Sequence, residues 1–231
     1  MLICDGLMLR YDDFALRADL RFSTGQVTGL IGPSGAGKST LLSALAGFLS
    51  PVSGRVMWGA DDITALTPAD RPICMLFQDN NLFPHLTIAQ NVGLGLRAGL
   101  RLTAEQMSQV DAVLESVGLA GMGARRPSAL SGGQQSRAAL ARVLLADRPL
   151  VLLDEPFAAL GPSLKDEMLD LVKQRLADQG RTVIMVTHDP ADVQRIADQV
   201  AVVADGGVAQ PAPTQELFEN PPPALVAYLG K

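Results

Sequence analysis

Residues Gly32 to Ser39 read GPSGAGKS, a pattern suited to holding a polyphosphate. Glycines at this spacing let successive backbone N–H groups turn inward at phosphate oxygens, and a helix starting at Lys38 adds its positive N-terminal end. Lys38 supplies a point charge for β and γ phosphates, and Ser39 offers a hydroxyl to Mg²⁺. The candidate cradle is Gly32, Pro33, Ser34, Gly35, Ala36, Gly37, Lys38, Ser39 and Thr40. Far downstream, the apolar run from Val151 ends on two adjacent carboxylates, Asp154 and Glu155. Charges left unpaired at the end of a buried strand are costly, and a metal ion removes that cost. The competing reading is that both cap the next helix, with Pro156 in its first turn.

Other polar groups close apolar runs in the same way. His188 follows Val183 to Thr187, so its imidazole stands at a strand end and can reach a γ phosphate. Gln78 follows Ile73 to Phe77 and can place a carbonyl oxygen on Mg²⁺ or water. In the segment Leu130, Ser131, Gly132, Gly133, Gln134, the serine and glutamine fit a capping box opening a helix toward Leu145. A glycine-flanked helix start is also an anion site, so the same geometry can offer Ser131 and the Gly133 N–H to a phosphate. Tyr11 carries a ring face suited to a nucleobase or to ordinary core packing, and His85 reads as surface or interface.

Positioning these groups requires alternating strands and helices. Leu7 to Tyr11 and Phe14 to Phe22 read as an antiparallel ribbon turning at Asp12 and Asp13. Val27 to Ile31 is a strand entering Gly32, and Lys38 to Ala46 a helix, with Leu41, Leu42 and Leu45 at helical spacing and Gly47 as its stop. Val56 to Trp58 and Ile73 to Phe77 read as strands separated by a polar loop around Asp61, Asp62 and Pro68. From Thr87 to Val117 the pattern is helical, with Val110, Val113, Leu114 and Val117 on one face of a segment that Thr103 and Glu105 start. Leu150 to Leu153, Val183 to Val186 and Val200 to Val203 are near-continuous apolar runs, as expected of parallel strands covered on both faces. Pro221 to Pro223 mark a break before a short helix near Leu225 to Leu229.

Composition bounds the rest. The 231 residues are 48% apolar and 19% charged, which fits a packed α/β domain with a smaller appended lobe and excludes disorder. A net charge of −5 disfavours non-specific nucleic-acid binding, which needs a broad basic surface. Cys4 and Cys74 lack metal-like spacing and read as small hydrophobes rather than a disulfide. No leader pattern and no apolar run long enough to span a bilayer is found, so the expectation is a cytosolic or peripheral protein whose membrane role needs a separate partner.

The phosphate loop, the LSGGQ segment at Leu130 to Gln134 and the carboxylate-ended strand, in this order, resemble the ATP-binding cassette (ABC) family. The resemblance covers nearly the whole chain. It implies an α/β fold: a parallel P-loop NTPase sheet core with an N-terminal antiparallel β ribbon and an inserted helical lobe. That is one domain over 1–231, with a RecA-like core and ribbon at 1–78 and 136–231 and the lobe at about 79–135. It implies ATP and Mg²⁺ as cofactors, Asp154, Ser39 and Gln78 as metal ligands, Glu155 as general base, and His188 as γ-phosphate sensor beside it, with Lys38 and Gln78 completing the catalytic set. Tyr11 matches the adenine-stacking aromatic. Ser131, Gly132, Gly133 and Gln134 are implied to close over ATP held by a second copy. The family usually carries an aspartate where this chain has Gly161, after Ala158, Ala159 and Leu160, and often a longer polar residue at Ser136. The first departure implies weak coupling between paired ATP sites.

Neither long coiled coils nor a second cassette is present, which leaves the single-cassette ATPase subunit of a transporter. Asp79 to Gln90 lies where such relatives receive a permease, with Leu82, Phe83 and Leu86 apolar enough for the contact. Met75 to Leu96 resembles the ATPase subunits of bacterial thiamine importers. The implied partners are a second copy, membrane permease subunits and, indirectly, a periplasmic binding protein, at the cytoplasmic face of a bacterial inner membrane. Another small-solute importer (polyamine, iron, sulfate), an efflux ATPase and a non-hydrolysing regulatory module remain as alternatives.

Overall fold

The computed structural model describes residues 1–11 and 14–230, Tyr11 by its backbone alone. The turn expected at Asp12 and Asp13 lies outside the described residues. The chain opens with strands β1 (Leu2–Tyr11), β2 (Phe14–Phe22) and β3 (Val27–Ile31), helix α1 (Lys38–Ala46), and strands β4 (Ser53–Trp58), β5 (Asp61–Asp62) and β6 (Ile73–Leu76). Helices α2 (Ile88–Gly93), α3 (Ala104–Ser116) and α4 (Gly132–Leu145) follow. Next come β7 (Leu150–Asp154), α5 (Pro162–Arg175), β8 (Thr182–Val186), α6 (Pro190–Ile196) and β9 (Gln199–Ala204). The short strands β10 (Gly207–Val208) and β11 (Ala212–Pro213) precede α7 (Thr214–Glu219) and α8 (Pro223–Leu229).

The strands form one mixed sheet in the order β5-β4-β1-β2-β10-β9-β3-β8-β7-β6, with β11 paired to β9. From β9 to β6 every neighbour is parallel, while β1 pairs antiparallel with β2 and β4. Alternation along the buried strands divides the core in two. Val151, Leu153, Val183 and Met185 face a cluster that includes α2 to α6, while Leu150, Leu152, Ile184 and Val186 face α1 and the ribbon. Apolar contacts on both faces explain why β7 and β8 read as unbroken runs. Cys4 is fully buried and its thiol pKa is pushed up to about 12, chiefly by that burial; both cysteines are free.

Several boundaries differ from the sequence expectation. β1 begins at Leu2 rather than Leu7, because a register irregularity between Cys4 and Leu7 breaks the alternation that marks a strand. Asp61 and Asp62 form a strand edge against Trp58 and Met57 rather than a loop. The helical stretch is two helices, α2 and α3, each with its own capping box, Thr87 with Gln90 and Thr103 with Gln106. The partner of Thr103 is therefore Gln106, not Glu105. The proline break is shorter than expected, since Pro223 opens α8. The division at 135/136 falls inside the continuous helix α4. Among the described residues no helix is long and apolar enough to cross a membrane.

Candidate functional site

The chemistry-bearing residues leave the C-terminal ends of four adjacent parallel strands. β3 runs into the glycine loop, β8 into His188, β7 into Asp154 and Glu155, and β6 toward Gln78. Open parallel sheets bind ligands at this edge because loops there fan apart while the strands fix their roots. A cleft of about 1070 Å³ occupies the edge, lined by Gly32, Lys38, Ser39, Gln78, Glu155 and His188 among others.

The glycine loop is closely packed underneath. A Cβ at Gly32, where φ is 150°, would lie 2.1 Å from the Val203 carbonyl oxygen, and one at Gly37, where φ is 100°, 2.4 Å from the Phe14 ring. Neither position accepts a side chain. Gly37 is the N-cap of α1 and makes no side-chain capping bond, whereas α2, α3 and α4 each have a full capping box. The first N–H groups of α1 are thus left for an anion. Lys38 is 8% exposed and donates to the Gly32 and Pro33 carbonyls at 2.7 and 2.9 Å. Burial lowers its pKa, against the opposing pull of Glu155 and Asp154. The ammonium has three donors, so one remains for a ligand. A triphosphate fits this cradle.

Ser39 Oγ donates to Asp154 Oδ1 at 3.0 Å. Burial raises the Asp154 pKa, with the Ser39 hydrogen bond opposing and neighbouring Glu155 adding to the rise. An incompletely compensated carboxylate beside a hydroxyl is a hard-oxygen donor set. It fits Mg²⁺, which takes few protein ligands and keeps water and phosphate oxygens. No cluster of three or more His, Cys, Asp and Glu is found among the described residues. α5 starts only at Pro162, so neither Asp154 nor Glu155 caps it.

Glu155 adopts φ 46°, an uncommon backbone for a non-glycine residue, and its N–H donates to the Val186 carbonyl at 3.0 Å. This strained joint brings a carboxylate oxygen within 3.3 Å of His188 Nδ1. The Glu155 side chain is 23% exposed and that of His188 65%. The segment after His188 is firmly held: Lys165 pairs with Asp189 and Asp192 at 2.5 and 2.6 Å, and Thr187 Oγ1 donates to Asp192 at 2.8 Å.

The sequence pattern of the family described as ABC transporter matches residues 16–158, more than half of the chain. This chain belongs to that family. It is 56% identical over 230 residues to the thiamine import ATP-binding protein ThiQ of Cereibacter sphaeroides, covering 100% of both chains. To the ThiQ of a Ruegeria species it is 53% identical, again over 100% of both, and to that of Yersinia pestis 47%, over 95% of this chain and 93% of the relative. An ATP-binding cassette solved as a dimer in a post-hydrolysis state with ADP and Pi matches with a TM-score of 0.82 at 27% identity, covering 93% of this chain and 99% of that one. The α/β P-loop NTPase fold expected of an ABC ATPase is therefore the fold of this chain.

Ser131 N-caps α4: its N–H donates to Gln134 Oε1 at 2.9 Å and its Oγ accepts from the Gln134 N–H at 3.3 Å. Ser131 and Gly132 are exposed, Gly133 and Gln134 half-buried, and none of the four lines the cleft. Pro33 and Ala36 belong to the loop without lining it, and the Tyr11 side chain lies outside the described residues. The stretch after Gln78 is pinned from below. Buried Asn91 bonds both the N–H and the carbonyl of Phe83, and Arg142 of α4 donates to the Asn80 and Asn81 carbonyls, both at positive φ. Phe83 itself is 43% exposed, and its ring meets His85 edge-on.

Sequence reasoning missed Phe14 and Tyr228, which both line the cleft. Phe14 was legible from the β2 alternation, which turns it to the side of Leu16, Ala18 and Leu20. Tyr228 carried no local signal, since only the return of α8 to the sheet edge brings it there.

Proposed function

We propose that this chain is the ATP-hydrolysing subunit of a bacterial thiamine importer, working as a pair that clasps ATP between its copies. The observation that carries the reading is the gathering of Lys38, Ser39, Asp154, Glu155 and His188 around one cleft, with the exposed Ser131 helix start outside it. That leaves Ser131 to Gln134 free to meet the cleft of a second copy. The full-length similarity to proteins named for thiamine import supports the cargo.

Lys38 and the uncapped N–H groups of α1 bind β and γ phosphates. Ser39, Asp154 and Gln78 would hold Mg²⁺, which when bound supplies neutralising charge at those phosphates. Glu155 takes the proton of the attacking water, and His188 orients Glu155 and the γ phosphate. Tyr11 stacks on the adenine. Residues from about 79 to 135 form the helical lobe, with α4 running on from it into the core, and the pinned stretch around Leu82, Phe83 and Leu86 receives the permease at the cytoplasmic membrane face. The Asn91 and Arg142 contacts make that stretch a rigid footing joined to the helix that Ser131 begins.

The test is Glu155→Gln. Loss of a general base typically costs about 10² to 10⁴ in rate, so ATPase activity should fall by that factor while the variant still binds ATP and pairs on it in light scattering. In cells holding the permease and binding protein but no ATPase subunit, the parent should restore uptake of labelled thiamine and the variant should not. Normal hydrolysis by Glu155→Gln would remove the base assignment, and absence of uptake with the parent would remove the cargo.

A further inference from the structure

The exposed imidazole of His188 needs a fixed backbone if its contact with Glu155 is to be kept, and one clamp on that backbone comes from the far end of the chain. Tyr228 Oη donates to the His188 carbonyl at 2.7 Å across forty residues of sequence. Pro190, two residues on, has no N–H, and the Asp192 N–H goes to Asp189. Those local donors do not serve the His188 carbonyl. α8 is anchored by Leu225, fully buried in the core, and Tyr228 follows one turn later on the same face. The phenol is half-buried and lines the cleft. Burial, then the carboxylates of Asp189 and Glu155, raise its pKa, which keeps it protonated and able to donate.

Resting on the ATPase reading above, we propose that Tyr228 is a positioning residue for hydrolysis, its phenol fixing the His188 backbone so that the imidazole stays against Glu155. The terminal helix is then part of the catalytic apparatus rather than a trailing segment. Lys165 holds the following residue, Asp189, from α5, so the His188 joint is gripped from both sides. Tyr228 acts on orientation alone. Its loss should lower turnover without touching the phosphate cradle.

The test is Tyr228→Phe in the purified full chain, which keeps the ring and removes one hydrogen bond. We expect kcat for ATP to fall about threefold to tenfold with KM unchanged, the size of one net hydrogen bond expressed only in the reacting state. Histidine is present only at positions 85 and 188, so ring resonances report the site directly. The His188 resonance should shift or broaden while that of His85 stays, with the melting temperature held. An unchanged kcat, or a loss matched by a lower melting temperature and movement of both histidines, overturns the assignment. A parent chain that does not hydrolyse ATP overturns the ATPase reading itself, whereas a working parent with an indifferent Tyr228→Phe overturns this inference alone.

Discussion

The two ends of α1 each hold a buried cation, and they differ in what each cation lacks. At the C-terminal end Arg71, 1% exposed, donates to the carbonyls of Ala44, Leu45, Thr64 and Leu66. There the guanidinium meets the negative end of the helix dipole, supplies the Leu45 carbonyl and adds to the Gly47 N–H on the Ala44 carbonyl, so the arrangement is complete without a ligand. At the N-terminal end Lys38 sits at the positive pole, with two carbonyls for partners and an uncapped first turn beside it. A cation there is poorly placed until an anion arrives. Burial lowers the pKa of both side chains, so desolvation alone does not separate structure from function. What separates them is whether the surrounding dipoles are already satisfied.

Arg71→Met attacks the satisfied end and should have the largest effect on folding. Buried acceptors left without donors cost about 1–3 kcal/mol each, so a loss of about 3 kcal/mol or more is expected in urea denaturation, with ATP affinity of the folded fraction retained. Lys38→Met attacks the waiting end and should do the reverse. Hydrolysis should fall by about 10² to 10³, as for loss of one preorganised charge at a transition state, while unfolding free energy falls by less than in Arg71→Met, about 1–3 kcal/mol, because only the Gly32 carbonyl loses its donor and the Pro33 carbonyl keeps the Ala36 N–H. Equal losses of stability in the two variants would erase the contrast.

A smaller effect belongs to Lys165, whose ion pairs with Asp189 and Asp192 are partly exposed. The Lys165 hydrogen bond holds the Asp189 pKa below its ordinary 3.8. A depressed carboxylate contributes stability above the unfolded value and loses it as pH falls through the folded one. Lys165→Met should therefore cost about 1 kcal/mol or less near neutrality. The gap from the parent should close as the pH drops below 3.8. A gap that persists in acid would mean that the pair is not what holds the loop after His188.

The satisfied parts of the molecule were less legible in the sequence than the waiting ones. Glycine spacing before Lys38, carboxylates ending β7 and a histidine ending β8 break local rules of burial and patterning, and such breaks stand out. The strand cores were legible because parallel strands covered on both faces read as continuous apolar runs. Arg71 left no trace, since its partners are backbone carbonyls that no side-chain pattern reveals. The first half of β1 was hidden by the irregularity before Leu7. The separation of α2 from α3 was hidden because apolar spacing continues through residues 94–103 although the backbone does not. Long-range contacts such as Tyr228 to His188 depend on where a terminal helix folds back, and spacing carries no record of that.

The central claim is that each ATP site is built from two copies, and subunit mixing tests it most directly. Lys38→Met removes the cradle and Ser131→Arg removes the closing helix start, so each variant alone should be inactive. Mixed in equal amounts, half the pairs should hold one complete site, and about one quarter of the parent activity should return. Weak coupling between sites, expected from Gly161, lets that single site work alone. No recovery on mixing, with exchange of subunits verified, would contradict a composite site and place Ser131 outside the chemistry.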